Sequence, residues 1–231
     1  MPAPRLDSDE RRHAIVRAAV PLFARKGFAG TTTREIAEAA GISEALLFKH
    51  FPSKQLLYGE ILQWLGCQGD PALEKLSTLS ASTETLVCMV RFMVGRFVLG
   101  SDCERADMDP RMRLVLHSCL EDGSYARLLF EVVRERVVPY FEASLAAAEA
   151  AGDVVPLTGA AANRFWFAQH VAALMAFAAL PPQGCIPYRG TAEEIAEEAT
   201  VFILRGIGMT EAAIAAHDPG ENPLQAAALV R

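Results

Sequence analysis

The segment from residue 31 to residue 54, TTTREIAEAAGISEALLFKHFPSK, carries side chains whose types and spacing suit contact with a nucleic acid. Three predicted helices begin in or next to this segment, one of them at Lys54, and each start leaves backbone N–H groups free for phosphate oxygens. A residue as small as Ala45 allows its helix to approach another surface closely. The predicted outward positions of that helix are Glu44, Ala45, Phe48 and Lys49.

Short helices with clear start and stop signals are predicted to position these residues. Asp7 with Glu10, and Thr32 with Glu35, have the spacing of a capping box, and Gly41 is predicted to turn the chain between two helices. Two helices joined by such a turn form a helix-turn-helix, whose second helix enters the major groove of DNA, although the same hairpin is common as plain structure. The predicted helices are Asp9–Lys26 with a stop at Gly27, Thr33–Ala40, a helix capped by Ser43 that ends near Phe51, and one capped by Ser53 over Lys54–Gly66.

The net charge gives two opposite indications. The 231 residues carry 22 Lys and Arg against 28 Asp and Glu, and the resulting charge of −6 is unusual for a nucleic-acid binder. The first 54 residues, however, carry nine cations and six anions (+3), and the remaining 177 residues carry 13 cations and 22 anions (−9). This asymmetry is typical of a nucleic-acid-facing segment on an acidic body.

Composition and cysteine spacing predict a folded cytoplasmic protein. A hydrophobic share of 52% excludes general disorder, and the first residues contain no apolar run of the kind found in secretory signals. The most apolar stretch, 165–180, is interrupted by Gln169 and His170 and falls short of the ~20 apolar residues that a membrane span requires. The cysteines have no CxxC spacing and are expected to be reduced thiols: Cys67, Cys88, Cys103, Cys119 and Cys185.

No motif of an enzyme active site stands out in this sequence. A phosphate-binding GxxxxGK[ST], a complete GxGxxG and a metal-binding HExxH are all missing. The stretch GISEA at Gly41 lacks the second glycine and the preceding strand of a nucleophile elbow. We therefore expect no enzyme activity, no cofactor and no metal site. A helical enzyme or an interaction protein without DNA binding remains the alternative.

The rest of the chain is also predicted to be helical, which gives an all-α chain of about nine helices. The tail after Gly208 is rich in Ala and is expected to be loosely held. The expected organisation is a helix-turn-helix DNA-binding domain over 1–54, a larger helical ligand-binding and dimerisation domain over 55–208 and the tail over 209–231. The remaining predicted helices are Thr83–Leu99, Pro110–Cys119, Ser124–Ala151 with a kink at Pro139, Leu157–Leu180, and one capped by Thr191 and Glu194 that ends near Arg205.

The helix-turn-helix segment resembles the TetR family of bacterial transcriptional regulators. The family pattern is approximately TTxxxIAxxAGxSxxxLYxHFxxK, and the strong resemblance covers about residues 11–57, or a quarter of the chain. It implies a regulator, with repression favoured, that binds operator DNA and releases it on binding a small, largely apolar ligand. The matching residues are Thr31, Thr32, Ile36, Ala37, Ala40, Gly41, Ser43, Leu47, His50, Phe51 and Lys54.

The resemblance also implies roles for individual residues. Thr32 and Thr33 would contact phosphates, with Arg34 near the backbone or a base edge. Ser43 would cap the recognition helix, Glu44, Ala45, Leu46 and Lys49 would face the groove, and His50 and Lys54 would hold phosphates. Two positions depart from the pattern. Phe48 replaces a tyrosine whose hydroxyl often reaches a phosphate, and Leu46 replaces a small or hydroxyl residue and can contact only apolar groups such as a thymine methyl.

The apolar pattern of the predicted helix 157–180 indicates a homodimer, because a helix that is apolar nearly all round must be covered on both sides. Its alanines would allow close helix packing, and together with the helix that follows it would form a four-helix interface about a two-fold axis. The resemblance implies the same pairing. The predicted interface residues are Ala168, Ala172, Ala176, Ala179, Ile195, Ala199, Phe202 and Gly206.

A ligand pocket between the middle helices is implied by the resemblance, although aromatic residues at helical spacing are more often plain core. A cysteine-based redox switch through Cys67, Cys88, Cys103 or Cys119 is the alternative way of controlling a regulator of this fold. The candidate lining residues are mainly apolar with a few polar groups: Phe92, Arg96, His117, Tyr125, Phe165, Trp166 and His170.

Overall fold

The computed structural model describes residues 7–67, 71–99, 102–181, 183–217 and 222–228. Within these residues the chain is helical with no strand, as predicted, and no helix is both long and apolar enough to span a membrane. The helices are α1 (Ser8–Gly30), α2 (Thr33–Ala39), α3 (Glu44–His50), α4 (Lys54–Cys67), α5 (Pro71–Leu76), α6 (Thr83–Val98), α7 (Asp102–Leu120), α8 (Ser124–Arg136), α9 (Val138–Ala151), α10 (Ala161–Ala179), α11 (Ala192–Gly206), α12 (Glu211–Ala216) and α13 (Pro223–Ala228).

The chain forms two compact units. The first comprises residues 1–68 and 106–130, and the second comprises residues 69–105 and 131–231. The first unit therefore contains α4 and a later stretch of the chain in addition to the predicted segment 1–54. The functional boundaries at residues 54 and 208 remain predictions.

The first unit is built on α1, which packs against α2 and α4. Phe23 of α1 is fully buried, and its ring centroid lies 6.1 Å from that of Phe28 and 5.0 Å from that of Tyr58. Burial raises the pKa of Tyr58 to about 12, because the ionised phenolate would lose its hydration. Both predicted capping boxes are present, Asp7 with Glu10 at α1 and Thr32 with Glu35 at α2.

Gly27 interrupts α1 near its end, where the sequence predicts a stop. Its backbone has φ +68° and ψ 179°, a combination that glycine adopts far more readily than other residues. A Cβ at this position would lie 2.6 Å from Glu121 Oε1 and 3.1 Å from His117 Nδ1. The Gly27 carbonyl accepts a hydrogen bond of 2.8 Å from the buried Thr31 hydroxyl. The absence of a side chain therefore allows α1 to bend and the end of α7 to pack directly against the bend.

The second unit is organised around α6, which packs against α9, α10, α11 and α13. Leu86, Val90 and Val94 of α6 are completely buried in the core of this unit. The backbone of Val154 pairs with that of Met209, and the Arg164 guanidinium donates to Glu149 at 2.8 Å. These contacts hold the connection between α9 and α10 against the end of α11.

Two prolines act differently from the sequence prediction. Pro110 lies inside α7, which begins at Asp102, so the prediction that a helix opens at Pro110 is wrong. A proline inside a helix removes one hydrogen bond and disfavours the helical conformation, so α7 continues through Pro110 at a local cost. Pro139 does not kink one long helix but lies in the first turn of α9, where its missing N–H costs little.

The end of the chain also differs from the prediction of a loosely held tail. Within the described residues it forms α12 and α13, and α13 packs against α5 and α6. Leu224 is buried in the core of the second unit, and the Asn222 amide donates to the Cys88 carbonyl at 3.1 Å. Three short helices (α5, α12 and α13) and the division between α8 and α9 raise the nine predicted helices to thirteen in the described ranges.

Gly27→Ala is expected to lower the free energy of unfolding by about 2–3 kcal/mol, because alanine must adopt a strained backbone conformation and displace Glu121 and His117. Gly59→Ala is the matched control, since Gly59 lies inside α4 with open space where its Cβ would be and should gain about 0.5–1 kcal/mol in helix propensity. Urea denaturation followed by circular dichroism measures both values. Equal stability of the two variants would contradict this account of the bend.

Candidate nucleic-acid interface

A glycine turn sets the angle between α2 and α3. Gly41 has φ +65°, its N–H donates to the Glu38 carbonyl at 3.1 Å, and the Ile42 N–H donates to the Ala37 carbonyl at 3.0 Å. This pair of bonds is the Schellman ending of a helix, which satisfies the last carbonyls of α2 while the chain reverses. The Ser43 hydroxyl then accepts from the Leu46 N–H at 3.2 Å and starts α3. The predicted helix-turn-helix is therefore present.

The outward face of α3 carries the side chains that the sequence places there. Glu44, Ala45, Phe48 and Lys49 are exposed, and Phe48 remains 44% exposed despite its size. On the opposite side of the same helix, Leu47 is 2% exposed and anchors α3 to the core.

The other predicted contact residues are distributed around this face. Thr32, Arg34 and Ser43 are exposed, which is compatible with a contact to DNA. Thr33, Leu46, His50 and Lys54 are only partly exposed.

Two polar contacts organise the side chains between α2 and α3. The Thr33 hydroxyl donates to Glu44 Oε2 at 3.1 Å, which links the first turn of α2 to the first turn of α3. Arg34 forms an exposed ion pair with Glu38 at 3.0 Å. The hydrogen bond and charge of Glu38, and to a lesser extent the charge of Glu44, raise the pKa of the Arg34 guanidinium. Arg34 therefore remains a cation at this surface.

The N-terminus of α2 is fixed by a network that also involves α1. The Lys26 ammonium pairs with Glu35, whose carboxylate accepts from the Thr32 N–H at 3.0 Å and from the Thr32 hydroxyl at 2.9 Å. The bond from Lys26, followed by those from Thr32, lowers the pKa of Glu35 to about 2. The carboxylate that caps α2 is thus ionised throughout the physiological pH range.

Lys54 has a structural role that the sequence does not reveal. Its ammonium donates to the carbonyls of Phe28 and Thr31, at 2.8 and 2.9 Å, and lies 4.3 Å from the centroid of the Phe28 ring. Two of its three N–H donors are therefore committed to the joint between α1 and α2. Any phosphate contact by Lys54 has to use the remaining donor.

Arg12 is a supporting residue that sequence reasoning missed. Its guanidinium donates to the His50 carbonyl at 2.7 Å and to Glu60 at 3.0 Å, and lies 4.3 Å from the centroid of the Phe51 ring. The C-terminal end of α3 is thus held from both α1 and α4. The contact joins residues 38 and 48 positions apart, so no local pattern signals it.

Some of the predicted dimer residues are buried in the structure and others are exposed. Ala168, Ala172 and Ala199 are 3%, 0% and 9% exposed and belong to the core of their own unit. The prediction that Ala168 and Ala172 face a partner is therefore wrong, because these two small residues of α10 pack inside their own unit. Ala199 also lines an apolar groove on α10 and α11 together with Phe202, so its place in an interface stays a prediction. Of the remaining predicted residues, Ala179, Phe202 and Gly206 are exposed, and Ala176 and Ile195 are partly exposed.

The predicted ligand residues fall in both units. Phe165 is buried in the second unit, with Phe92, Arg96 and Trp166 partly exposed there, but His170 is exposed on α10. Tyr125 and His117 belong to the first unit, where Tyr125 is 1% exposed and burial raises its pKa to about 12.

Among the cysteines of the alternative redox switch, the structure describes the side chains of Cys88 and Cys119. Cys88 is half-buried, and this burial raises the pKa of its thiol, which lowers the fraction of reactive thiolate. Cys119 and Cys185 are exposed, and the side chains of Cys67 and Cys103 lie outside the described residues. No group of three or more metal-ligating side chains occurs in the described part of the chain.

Comparison with known proteins finds similarity over the segment that contains α2 and α3. Residues 15–61 match the family described as "Bacterial regulatory proteins, tetR family". The chain is 45% identical over 53 residues to the HTH-type transcriptional repressor KstR2 of Rhodococcus jostii, and the match covers 23% of this chain and 26% of that protein. It is 42% identical over 59 residues to the HTH-type transcriptional activator FasR of Mycolicibacterium smegmatis, covering 26% and 27% of the two chains. The chain thus spans about a quarter of the length of these curated relatives.

Solved structures extend the likeness to most of the fold. The crystal structure of AibR in complex with isovaleryl coenzyme A and operator DNA has a TM-score of 0.62 and 19% identity, and the match covers 87% of this chain and 100% of that one. At this identity the likeness shows a shared fold. The named curated relatives are a transcriptional repressor and a transcriptional activator.

Lys54→Met is expected to destabilise the free protein by about 2 kcal/mol, because the Phe28 and Thr31 carbonyls lose a charged donor. Lys49→Met, at an exposed position of α3, is the control and should change stability by less than about 0.5 kcal/mol. Thermal and urea unfolding of the DNA-free proteins measure the difference in stability between the two variants. A Lys54→Met protein as stable as Lys49→Met would show that the contacts of Lys54 contribute nothing to the joint.

Proposed function

We propose that this chain, whose residues 15–61 belong to the tetR family of bacterial regulatory proteins, is a homodimeric transcriptional regulator that binds operator DNA through α3. The observation that carries the proposal is the outward face of α3, where Glu44, Ala45, Phe48 and Lys49 are exposed on a helix anchored from behind by Leu47. Such a helix can enter the major groove while the starts of α2 and α3 contact phosphates. Repression is the favoured direction, although the relatives include both a repressor and an activator.

A second copy of the chain is the proposed occupant of an apolar surface on α10 and α11. Phe167, Leu174 and Phe202 are 67%, 63% and 66% exposed, and apolar side chains that are exposed together on a surface mark an interaction site. Leu174 and Phe202 line a shallow groove of about 650 Å³ together with Val171, Met175 and Val201. A two-fold axis through this surface would pair α10 and α11 with their copies, and the dimer would carry two α3 helices for two operator half-sites.

The proposed effector is a small molecule with a large apolar part that binds in the second unit and weakens operator binding. Phe165, Trp166 and Phe92 supply an apolar environment. Ser144 Oγ and Gln169 Oε1 are among the buried polar atoms in the described part of this unit that have no hydrogen-bond partner. Since such atoms are costly in a folded protein, a ligand with a polar group would stabilise them. AibR, which shares the fold, binds isovaleryl coenzyme A.

Selection of bound fragments from sheared bacterial DNA tests operator binding. We expect the fragments to share a pseudo-palindrome whose half-sites lie about 10–10.5 base pairs apart, or a multiple of this distance. Ala45→Gln should change the selected sequence, whereas Ala39→Gln, at an exposed position of α2, should not. Fragments without a common sequence would refute the proposal.

The selected fragment then serves as the probe for the effector. Isovaleryl coenzyme A and a panel of apolar acids are titrated while tryptophan emission and DNA affinity are followed. At least one compound should weaken DNA binding by about 5- to 150-fold, the usual range of allosteric coupling. If DNA binding is specific but no compound alters it, the effector part of the proposal is wrong.

Phe202→Glu is expected to convert the dimer into a monomer, because each copy would bury an unpaired carboxylate in the apolar interface. Val155→Glu is the matched control, since Val155 is also an exposed apolar residue of the second unit (54%) but does not line the groove. Sedimentation at micromolar concentration measures the oligomeric state of both variants. A wild-type monomer, or a dimeric Phe202→Glu, would overturn the assignment of this surface.

A further inference from the structure

Glu44 places a carboxylate on the surface that the proposed function turns toward DNA. It is exposed at the first position of α3, beside Ala45, whose small side chain allows close approach. A carboxylate in this position is repelled by the phosphates on either side of the groove. Its presence on a DNA-reading face is favourable only if it accepts a hydrogen bond from a group inside the groove.

The carboxylate of Glu44 is held in place by a neighbouring helix. The Thr33 hydroxyl, from the first turn of α2, donates to Oε2 at 3.1 Å. Thr33 bonds one oxygen, which leaves Oε1 and further lone pairs of the carboxylate for a second donor. The position of the Glu44 carboxylate beside the first turn of α2 is therefore set before DNA binds.

Only two base edges in the major groove offer hydrogen-bond donors, the N6 amino group of adenine and the N4 amino group of cytosine. The adenine amino group lies between two acceptors, its own N7 and O4 of the paired thymine, and both would repel a carboxylate. The cytosine amino group has an acceptor on one side only, O6 of the paired guanine, and a C–H on the other. An ionised carboxylate without a donor of its own therefore discriminates in favour of cytosine.

We propose that Glu44 reads one cytosine in each operator half-site by accepting a hydrogen bond from its N4 amino group, with Thr33 as the positioning residue. This inference rests on the proposed function, because it requires α3 to lie in the major groove. It goes beyond that function by assigning one base of the operator to one side chain.

Selection from a random DNA pool with wild-type protein and with Glu44→Ala gives the first test. The wild-type consensus should contain one cytosine per half-site at which Glu44→Ala shows no base preference, with the other positions unchanged. Glu44→Gln should prefer adenine there, because an amide can donate to N7 and accept from N6. Glu38→Ala removes the same charge from α2 and should bind all DNA more tightly while keeping the preference for that cytosine.

Replacing that cytosine by N4-methylcytosine gives the second test, because the methyl group takes the place of the amino hydrogen that faces the groove. Wild-type affinity should fall about tenfold, because the loss of one base contact costs about 1–3 kcal/mol and we expect a value near the lower end of that range. Glu44→Ala should bind both oligonucleotides equally within twofold. Thr33→Val should reduce the ratio of affinities for cytosine and the other bases, and Thr33→Ser should restore it.

The outcomes separate this inference from the proposed function. A wild-type protein that selects no sequence would contradict the proposed function itself. The wild-type protein could instead select an operator and so support the proposed function. The role of Glu44 would then be overturned if Glu44→Ala selected the same consensus, or if N4-methylcytosine left the affinity of the wild-type protein unchanged.

Discussion

A helix of seven residues has no appreciable stability of its own in water, so the presentation of α3 depends on tertiary contacts. Leu47 fixes one face of α3 to the core of the first unit, and the Arg12 guanidinium holds the carbonyl at its end. Thr33 contacts its first residue from α2. The outward side chains are thus positioned by contacts that α3 makes with α1, α2 and the core, which is how a short helix achieves a defined orientation.

The cations of the first unit divide into two groups with different physical roles. Arg12 and Lys54 are directed at backbone carbonyls and aromatic rings, where their charge strengthens hydrogen bonds that hold three helices together. Arg34 and Lys49 remain at the surface. A count of positive charge over the first 54 residues therefore overstates the charge available to phosphates, because part of it stabilises the fold.

The second unit illustrates how a helix that is apolar nearly all round is accommodated. Ala168 and Ala172 of α10 are used for close packing inside the unit, and Ala172 is completely buried. The large side chains Phe167 and Leu174 are left outside on the same helix, and α11 adds Phe202. Small residues favour close approach to any neighbour, so their spacing predicts close packing but does not indicate whether the neighbour belongs to the same subunit.

The sequence by itself determined the local structure of the first unit: both capping boxes, the glycine turn at Gly41 and the outward face of α3, because caps, turns and helical periodicity depend on residues a few positions apart. Only the tertiary structure decided that Lys54 binds the Phe28 and Thr31 carbonyls, that Arg12 supports α3 and that α13 packs on α5. These contacts join residues far apart in the chain. Their energies depend on burial and geometry that no local spacing encodes, so they emerge only when the helices are packed together.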